Sequence, residues 1–153
     1  MQKKPLLICI VGPTAIGKTS LSIKVANHFS CDIISADSRQ FYKEMTIGTA
    51  VPNKEELKLV KHHFIQDKSI QKPYTVGDFE TESIKKLNEL FKENSKAVMV
   101  GGSGLYIDAV VNGLDEFPLV QQRIRNRLNN DFQEKGIEYL QNRLKEKDPN
   151  YYN

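Results

Sequence analysis

The sequence predicts an α/β protein: a doubly wound parallel sheet followed, after residue 118, by a helical appendage. Three observations carry that reading. Short apolar runs rich in β-branched residues alternate with segments of helical periodicity through residue 113. Two of those runs end in glycine-rich turns that lead straight into a helical pattern, at Gly12 and at Gly101. Beyond Leu119 no strand-like run occurs, only polar helical repeats.

Each element follows in order. Leu6–Val11 is apolar, ends at Gly12-Pro13, and reads as a central strand buried on both faces. Lys18–Phe29 reads as a helix with Leu21, Val25 and Phe29 on one face. Residues 31–35 form a second strand candidate. Asn53 offers its side chain as an N-cap for a short helix over 54–60. Thr75 does the same for a longer helix, in which Phe79, Ile84, Leu87, Leu90 and Phe91 form the apolar stripe. Residues 97–100 are a third strand, followed by "GGSG" and a helix over 105–112. The stretch "GLDEFP", residues 113–118, reads as a linker that divides an α/β core, 1–113, from a helical segment, 114–153. In that segment Ile124, Leu128 and Phe132 make one repeat and Ile137, Leu140 and Leu144 another. Two helices without partners bury little, so the natural protein is expected to continue past Asn153.

With 39% hydrophobic and 27% charged residues in 153, the composition is that of a soluble globular chain. A net charge of +3 permits an anionic partner without announcing nucleic acid. Cys9 and Cys31 both sit in apolar runs and are expected as buried, reduced thiols, not as a disulfide. The apolar run after "MQKK" covers only six residues, too few for a signal peptide or a membrane span. No membrane partner is expected, and a cytoplasmic location follows from the lack of targeting signals.

The chemistry concentrates first at Gly12, Pro13, Thr14, Ala15, Ile16, Gly17, Lys18 and Thr19, a G-x-x-x-x-G-K-T stretch between a strand and a helix. Its glycines let successive backbone N–H groups converge on an anion, and the helix beginning at Lys18 adds the positive end of its dipole. Lys18 supplies a full charge and Thr19 a hydroxyl for Mg²⁺. The core is therefore P-loop NTPase-like, a nucleotide- or ATP-binding pattern. The loop leaves the reaction class open, because ATPases, kinases and transferases all use it.

"ISADSRQFY" follows the second strand, where parallel sheets gather their ligands. Asp37 there either holds Mg²⁺ through water, accepts a proton from a nucleophile, or merely caps a turn. Ser38, Arg39 and Gln40 bring donors and acceptors suited to a base edge. Ser103 in "GGSGLY" presents a hydroxyl to the same mouth, or else belongs to an ordinary strand-to-helix turn. His62 and His63 are adjacent. Neighbouring strand residues point to opposite faces, and no Cys or carboxylate stands nearby at ligand spacing, so both are expected to be structural.

Taken together, "GPTAIGKTSLS", "ISADSRQFYKEMTIGTAVP", "HHFI", "YTVGDF" and "VGGSGLYIDAVVNGL" closely resemble the tRNA dimethylallyltransferase family, over about residues 5–128. "ADSRQFY…TIGTA" discriminates, since ordinary P-loop kinases lack it. The resemblance implies that the phosphate loop holds the diphosphate of dimethylallyl diphosphate, with Thr14 and Lys18 at the leaving group and Mg²⁺ on Thr19. Asp37 matches the family's general base toward the N6 amine of the adenosine beside the anticodon. Asp37, Ser38, Arg39 and Gln40 match its tRNA-contacting segment, Ser103 a contact position that is usually Thr, and Arg125 a basic residue at the start of the helical part. Arg123 and Arg127 compete with Arg125, and all three also read as solvated arginines. Arg39 stands where Met also occurs and Gln66 where an acidic residue is common. The implied partners are the tRNA anticodon stem-loop and dimethylallyl diphosphate, acting on a monomer. The family's second basic tRNA-contact segment would follow Asn153. The rivals are a small-molecule P-loop kinase, a nucleotide-binding module without catalysis, and a prenyltransferase acting on free AMP or ATP.

Overall fold

The computed structural model describes residues 4–115 and 120–153. They form two compact units, Met1–Leu114 and Asp115–Asn153. The first contains, in order, β1 (Leu6–Val11), α1 (Lys18–Phe29), β2 (Ile33–Ser35), α2 (Lys54–Leu59), β3 (His62–His63), α3 (Val76–Glu93), β4 (Lys96–Gly101) and α4 (Gly104–Asn112). The four strands are parallel in the order β1-β4-β2-β3. Val11 pairs with Gly101 and Ser35 with Val100, so β1, β4 and β2 all end at one level. The loops leaving those ends share one edge of the sheet.

Alternation along the strands builds two cores. Ile34 and Met99 pack with Phe41, Phe79, Leu87 and Ile107 on one face; Ile33 and Val98 pack with Ile23, Ala26 and Val60 on the other. The aromatic centre of the first is tight. Phe41 is wholly buried and stacks on Phe79 at 5.1 Å between ring centroids.

Four expectations need correction. β1 is not central: among the described residues only β4 pairs with it, and Leu6 and Val11 are 50% and 58% exposed. Cys9 on that strand is consequently exposed, while Cys31 is buried as expected. An apolar run specifies burial in general, but its place in the sheet depends on pairing partners remote in sequence. In α1 the buried residues are Ser22, Ile23 and Ala26, with Val25 and Phe29 packed beside them as expected, but Leu21 is exposed. In α3 the buried residues are Phe79, Ser83 and Leu87, with Leu90 and Phe91 packed beside them as expected and Ile84 outside the stripe. The caps behave as read. Asn53 with Glu56, and Thr75 with Asp78, close full capping boxes.

The second unit holds α5 (Gln122–Lys147) and α6 (Pro149–Tyr152). Gly136, at φ 76° and ψ 179°, breaks α5 between the two apolar repeats. Asp131 spans the break, accepting from Lys135 Nζ at 2.8 Å and Arg143 Nη1 at 3.3 Å. Of the expected linker, residues 116–118 lie outside the described residues, as does Leu119. No helix of the described residues is long and apolar enough to cross a membrane.

Candidate active site

The site is built where β1, β2 and β4 end. After β1 the backbone takes left-handed values at Ala15 (φ 68°) and Gly17 (φ 91°). Backbone of this kind lets successive N–H groups converge on one point before α1 begins. A left-handed alanine is uncommon and marks backbone strain of the kind held at binding loops. Neither α1 nor α4, the two helices starting at this edge, has a side-chain N-cap, whereas α2 and α3 are fully capped. The first N–H groups of α1 are thus left for an anion. Lys18 Nζ arches over the loop and donates to Pro13 O at 2.5 Å.

A cavity of about 310 Å³ opens here, its walls including Thr14, Lys18, Thr19, Asp37, Gln40 and His62. A smaller, polar cavity of about 190 Å³ includes Ser38, Arg39 and Ser103. Thr14 and Asp37 line both. Asp37 also serves the humbler role, since Oδ1 accepts from Arg39 N at 3.0 Å and pins the turn. Its Oδ2 has no hydrogen-bond partner among the described residues.

The loops carrying these groups are locked together. Ser103 Oγ accepts from Ser38 N at 3.0 Å and donates to Ser38 Oγ at 3.2 Å. At Gly101 a Cβ would stand 2.2 Å from Ala36 O, so only glycine lets the two strand ends approach this closely. Gln40 accepts from Ser35 Oγ at 3.1 Å and gives both amide hydrogens away, to Thr49 O at 3.1 Å and Ala50 O at 2.9 Å. Its amide builds the cavity wall. Arg39 is exposed on the rim of the smaller cavity. Arg125 belongs to the second unit, where it is exposed on α5; its neighbours Arg123 and Arg127, with Ile124, line a cavity on that unit's own surface.

The two histidines part company. His63 Nε2 is 2.8 Å from Asp32 Oδ2, a structural pairing. His62 faces the larger cavity, and sequence reasoning assigned it no such place. The missing signal was register: Ile33 pairs with His62, which sets that side chain on the face covered by α1.

For a divalent cation the donors are the Thr19 hydroxyl and the Asp37 carboxylate, hard oxygens on one cavity. No group of three or more His, Cys, Asp or Glu residues able to hold a metal occurs among the described residues. That set fits Mg²⁺, which takes one or two protein oxygens and completes its shell with phosphate and water.

A glycine-framed loop opening a helix, with a carboxylate at the next strand end, defines an α/β domain of the P-loop type. The profile of the IPP transferase family matches residues 40–153, and the chain belongs to that family. It is 60% identical over 146 residues to a tRNA dimethylallyltransferase of Flavobacterium johnsoniae, covering 95% of this chain and 47% of that protein. To that of Christiangramia forsetii it is 63% identical, covering 95% and 48%. The chain therefore spans about half the length of the curated relatives it matches. Among solved structures it resembles the full-length tRNA isopentenylpyrophosphate transferase of Bacillus halodurans at a TM-score of 0.71 and 33% identity, covering 98% of this chain and 50% of that one. A eukaryotic dimethylallyltransferase acting on tRNA gives 0.79 at 26% identity, covering 98% and 37%.

Proposed function

We propose that the protein transfers a dimethylallyl group from dimethylallyl diphosphate to N6 of the adenosine adjacent to the anticodon of a tRNA, releasing pyrophosphate. The observation that supports it most is the shared wall: Thr14 and Asp37 line both cavities. One cavity carries the phosphate loop and suits the donor. The other is polar and suits a base turned out of its stack. The relatives' names, tRNA dimethylallyltransferase, agree with this division.

Lys18, Thr14 and the loop amides bind the diphosphate and stabilise the charge that grows on it as the C–O bond breaks. The Thr19 hydroxyl would hold a Mg²⁺ ion, which would supply further neutralisation of that charge. The N6 lone pair is delocalised into the ring, so the amine must be held in line with the allylic carbon. Asp37 Oδ2 accepts the N6 proton as the C–N bond forms. Ser38, Arg39 and Ser103, on the smaller cavity, position the nucleotide; Gln40, whose amide is spent on Ser35, Thr49 and Ala50, serves the tRNA-contacting segment by holding its wall in place, and Arg125 contacts the tRNA backbone without reading bases.

The test is incubation with labelled dimethylallyl diphosphate and unmodified tRNA carrying adenosines beside the anticodon. Label in the tRNA is the expected result. ATP consumption without prenyl transfer would make the protein a kinase. Label in AMP or ATP but not in tRNA would make the acceptor a free nucleotide.

A further inference from the structure

One side of the larger cavity has no role in the function above. In the sheet order β1-β4-β2-β3, that cavity takes residues from all four strand ends. Lys18 and Thr19 follow β1, Gly101 ends β4, Asp37 follows β2, and Ile65 follows β3. Neighbouring strands lie about 4.8 Å apart, so three intervals separate β1 from β3 by about 14 Å. Asp37 leaves from the strand between the phosphate loop and Ile65.

The two sides differ in chemistry. The phosphate loop offers a cation, a hydroxyl and backbone N–H groups. On the side built between β2 and the turn after β3, the lining includes Ala50, Pro52 and Ile65. The polar side chains there are engaged within the protein. Gln40 gives its amide hydrogens to Thr49 O and Ala50 O, Glu56 closes the cap of α2, and His62 Nδ1 is held by Val60 O. A nucleobase needs free donors and acceptors along its edge, and an alkyl chain needs none. This side suits an alkyl chain.

Strained backbone holds Ile65 on that wall. Phe64 and Gln66, the residues on either side of it, both take left-handed values, φ 62° and φ 50°. For a side chain as bulky as Phe that is an outlier, kept only where the surroundings over-determine it. Here they do. The buried Phe64 ring meets Phe79 edge-on at 5.3 Å between centroids, and Gln66 N donates to Gln40 O at 2.8 Å. The turn is fixed on both sides of Ile65, so the wall it makes is rigid.

We propose that Ile65 is a specificity-determining residue: it closes the β3 side of the larger cavity and limits the alkyl group of the donor to one five-carbon unit. This rests on the reading of that cavity as an alkyl diphosphate site. With the diphosphate on the phosphate loop and the reacting carbon beside Asp37, the methyl groups of the donor reach toward Ile65. A second five-carbon unit would have to pass the Ile65 side chain.

The test uses dimethylallyl and geranyl thiodiphosphates, in which a bridging sulfur slows departure of the diphosphate. Both are titrated calorimetrically, with Mg²⁺ present, into the unsubstituted protein, Ile65→Ala and Ile65→Val. Pyrophosphate serves as the ligand without an alkyl chain. The unsubstituted protein should bind the dimethylallyl compound about 10–100-fold more tightly than the geranyl one. Ile65→Ala should shrink that preference by about tenfold or more, and Ile65→Val, shorter by one carbon, by less. A purely structural Ile65 would lower the melting temperature of both variants and leave the preference where it was. An unchanged preference in Ile65→Ala, or in Ile65→Val should the alanine variant not melt cooperatively, overturns the proposal. So does an unsubstituted protein that binds the two compounds equally. Lys18→Ala separates the two readings. Pyrophosphate binding that is lost in Lys18→Ala, with an unchanged alkyl preference in the Ile65 variants, sinks Ile65 alone. Alkyl compounds that bind no more tightly than pyrophosphate and are indifferent to Lys18 sink the donor site and Ile65 with it.

Discussion

Asp37 carries two jobs on one carboxylate, and single substitutions separate them. Oδ1 accepts from Arg39 N and holds the turn, while Oδ2 has no hydrogen-bond partner among the described residues and the residue lines both cavities. Asp37→Asn keeps an oxygen for the turn and removes the base. Prenyl transfer in single turnover should fall about 10²–10⁴-fold, the usual worth of a positioned base, with little change in melting temperature. Asp37→Ala removes both functions and should also lose about 0.5–1.5 kcal/mol of stability with the hydrogen bond. Transfer by Asp37→Asn at the unsubstituted rate would remove Asp37 as the proton acceptor. Sequence alone left the capping and catalytic roles as alternatives because it could not show that the two oxygens have different neighbours.

At the scale of elements, the site depends on how closely β2 and β4 end beside one another. The Gly101 Cα faces Ala36 backbone, and an added Cβ would stand 2.2 Å from its carbonyl oxygen, a backbone atom that cannot swing aside. Gly101→Ala should therefore force the strand ends apart, at about 1–3 kcal/mol in thermal or denaturant unfolding. It should also strain the Ser38–Ser103 bridge, which joins the same two loops. A variant with unchanged stability would show that the loops have slack. This closeness was not legible in "GGSG", which reads the same in an ordinary turn. The phosphate loop was legible, because glycine spacing, Lys18 and Thr19 act within eight residues and need no distant partner. So were the two capping boxes, for the same reason. What depends on remote pairing was misread or left unread: the edge position of β1 and the exposure of Cys9 were misread, and the place of His62 on the cavity was not read at all. On α1 the reading held for Val25 and Phe29, which pack on the core, and failed for Leu21, because the centre of the contact side is made of the small Ser22 and Ala26 beside Ile23 and leaves the larger Leu21 outward.

Over the whole molecule, one half-buried histidine, one buried thiol and two hydrogen-bonded carboxylates set how stability responds to pH. Burial lowers His62. The unfolded chain takes up a proton at this residue near its ordinary value of 6.5, while the folded chain still resists it. The unfolded state then binds more protons, so stability falls as pH drops below about 6.5. Asp78, held low by the Thr75 backbone and hydroxyl, and Asp131, held low by Lys135, act later. Their contributions are complete above the ordinary carboxylate value of 3.8 and are lost only as pH falls from there through their folded values. On the alkaline side, burial and then Asp32 raise Cys31. Its unfolded thiol ionises near 9.0 while the folded one keeps its proton, so stability falls again above that pH. The melting temperature should form a plateau between about pH 6.5 and 9, with a first acid descent owed to His62 and a steeper one below about pH 4 owed to carboxylates. Melting curves from pH 4 to 10 on the unsubstituted protein and His62→Gln check this. The variant should lose the first descent and keep the second, because glutamine has no proton to gain. An unchanged decline between pH 6.5 and 5 in the variant would show that another group carries it.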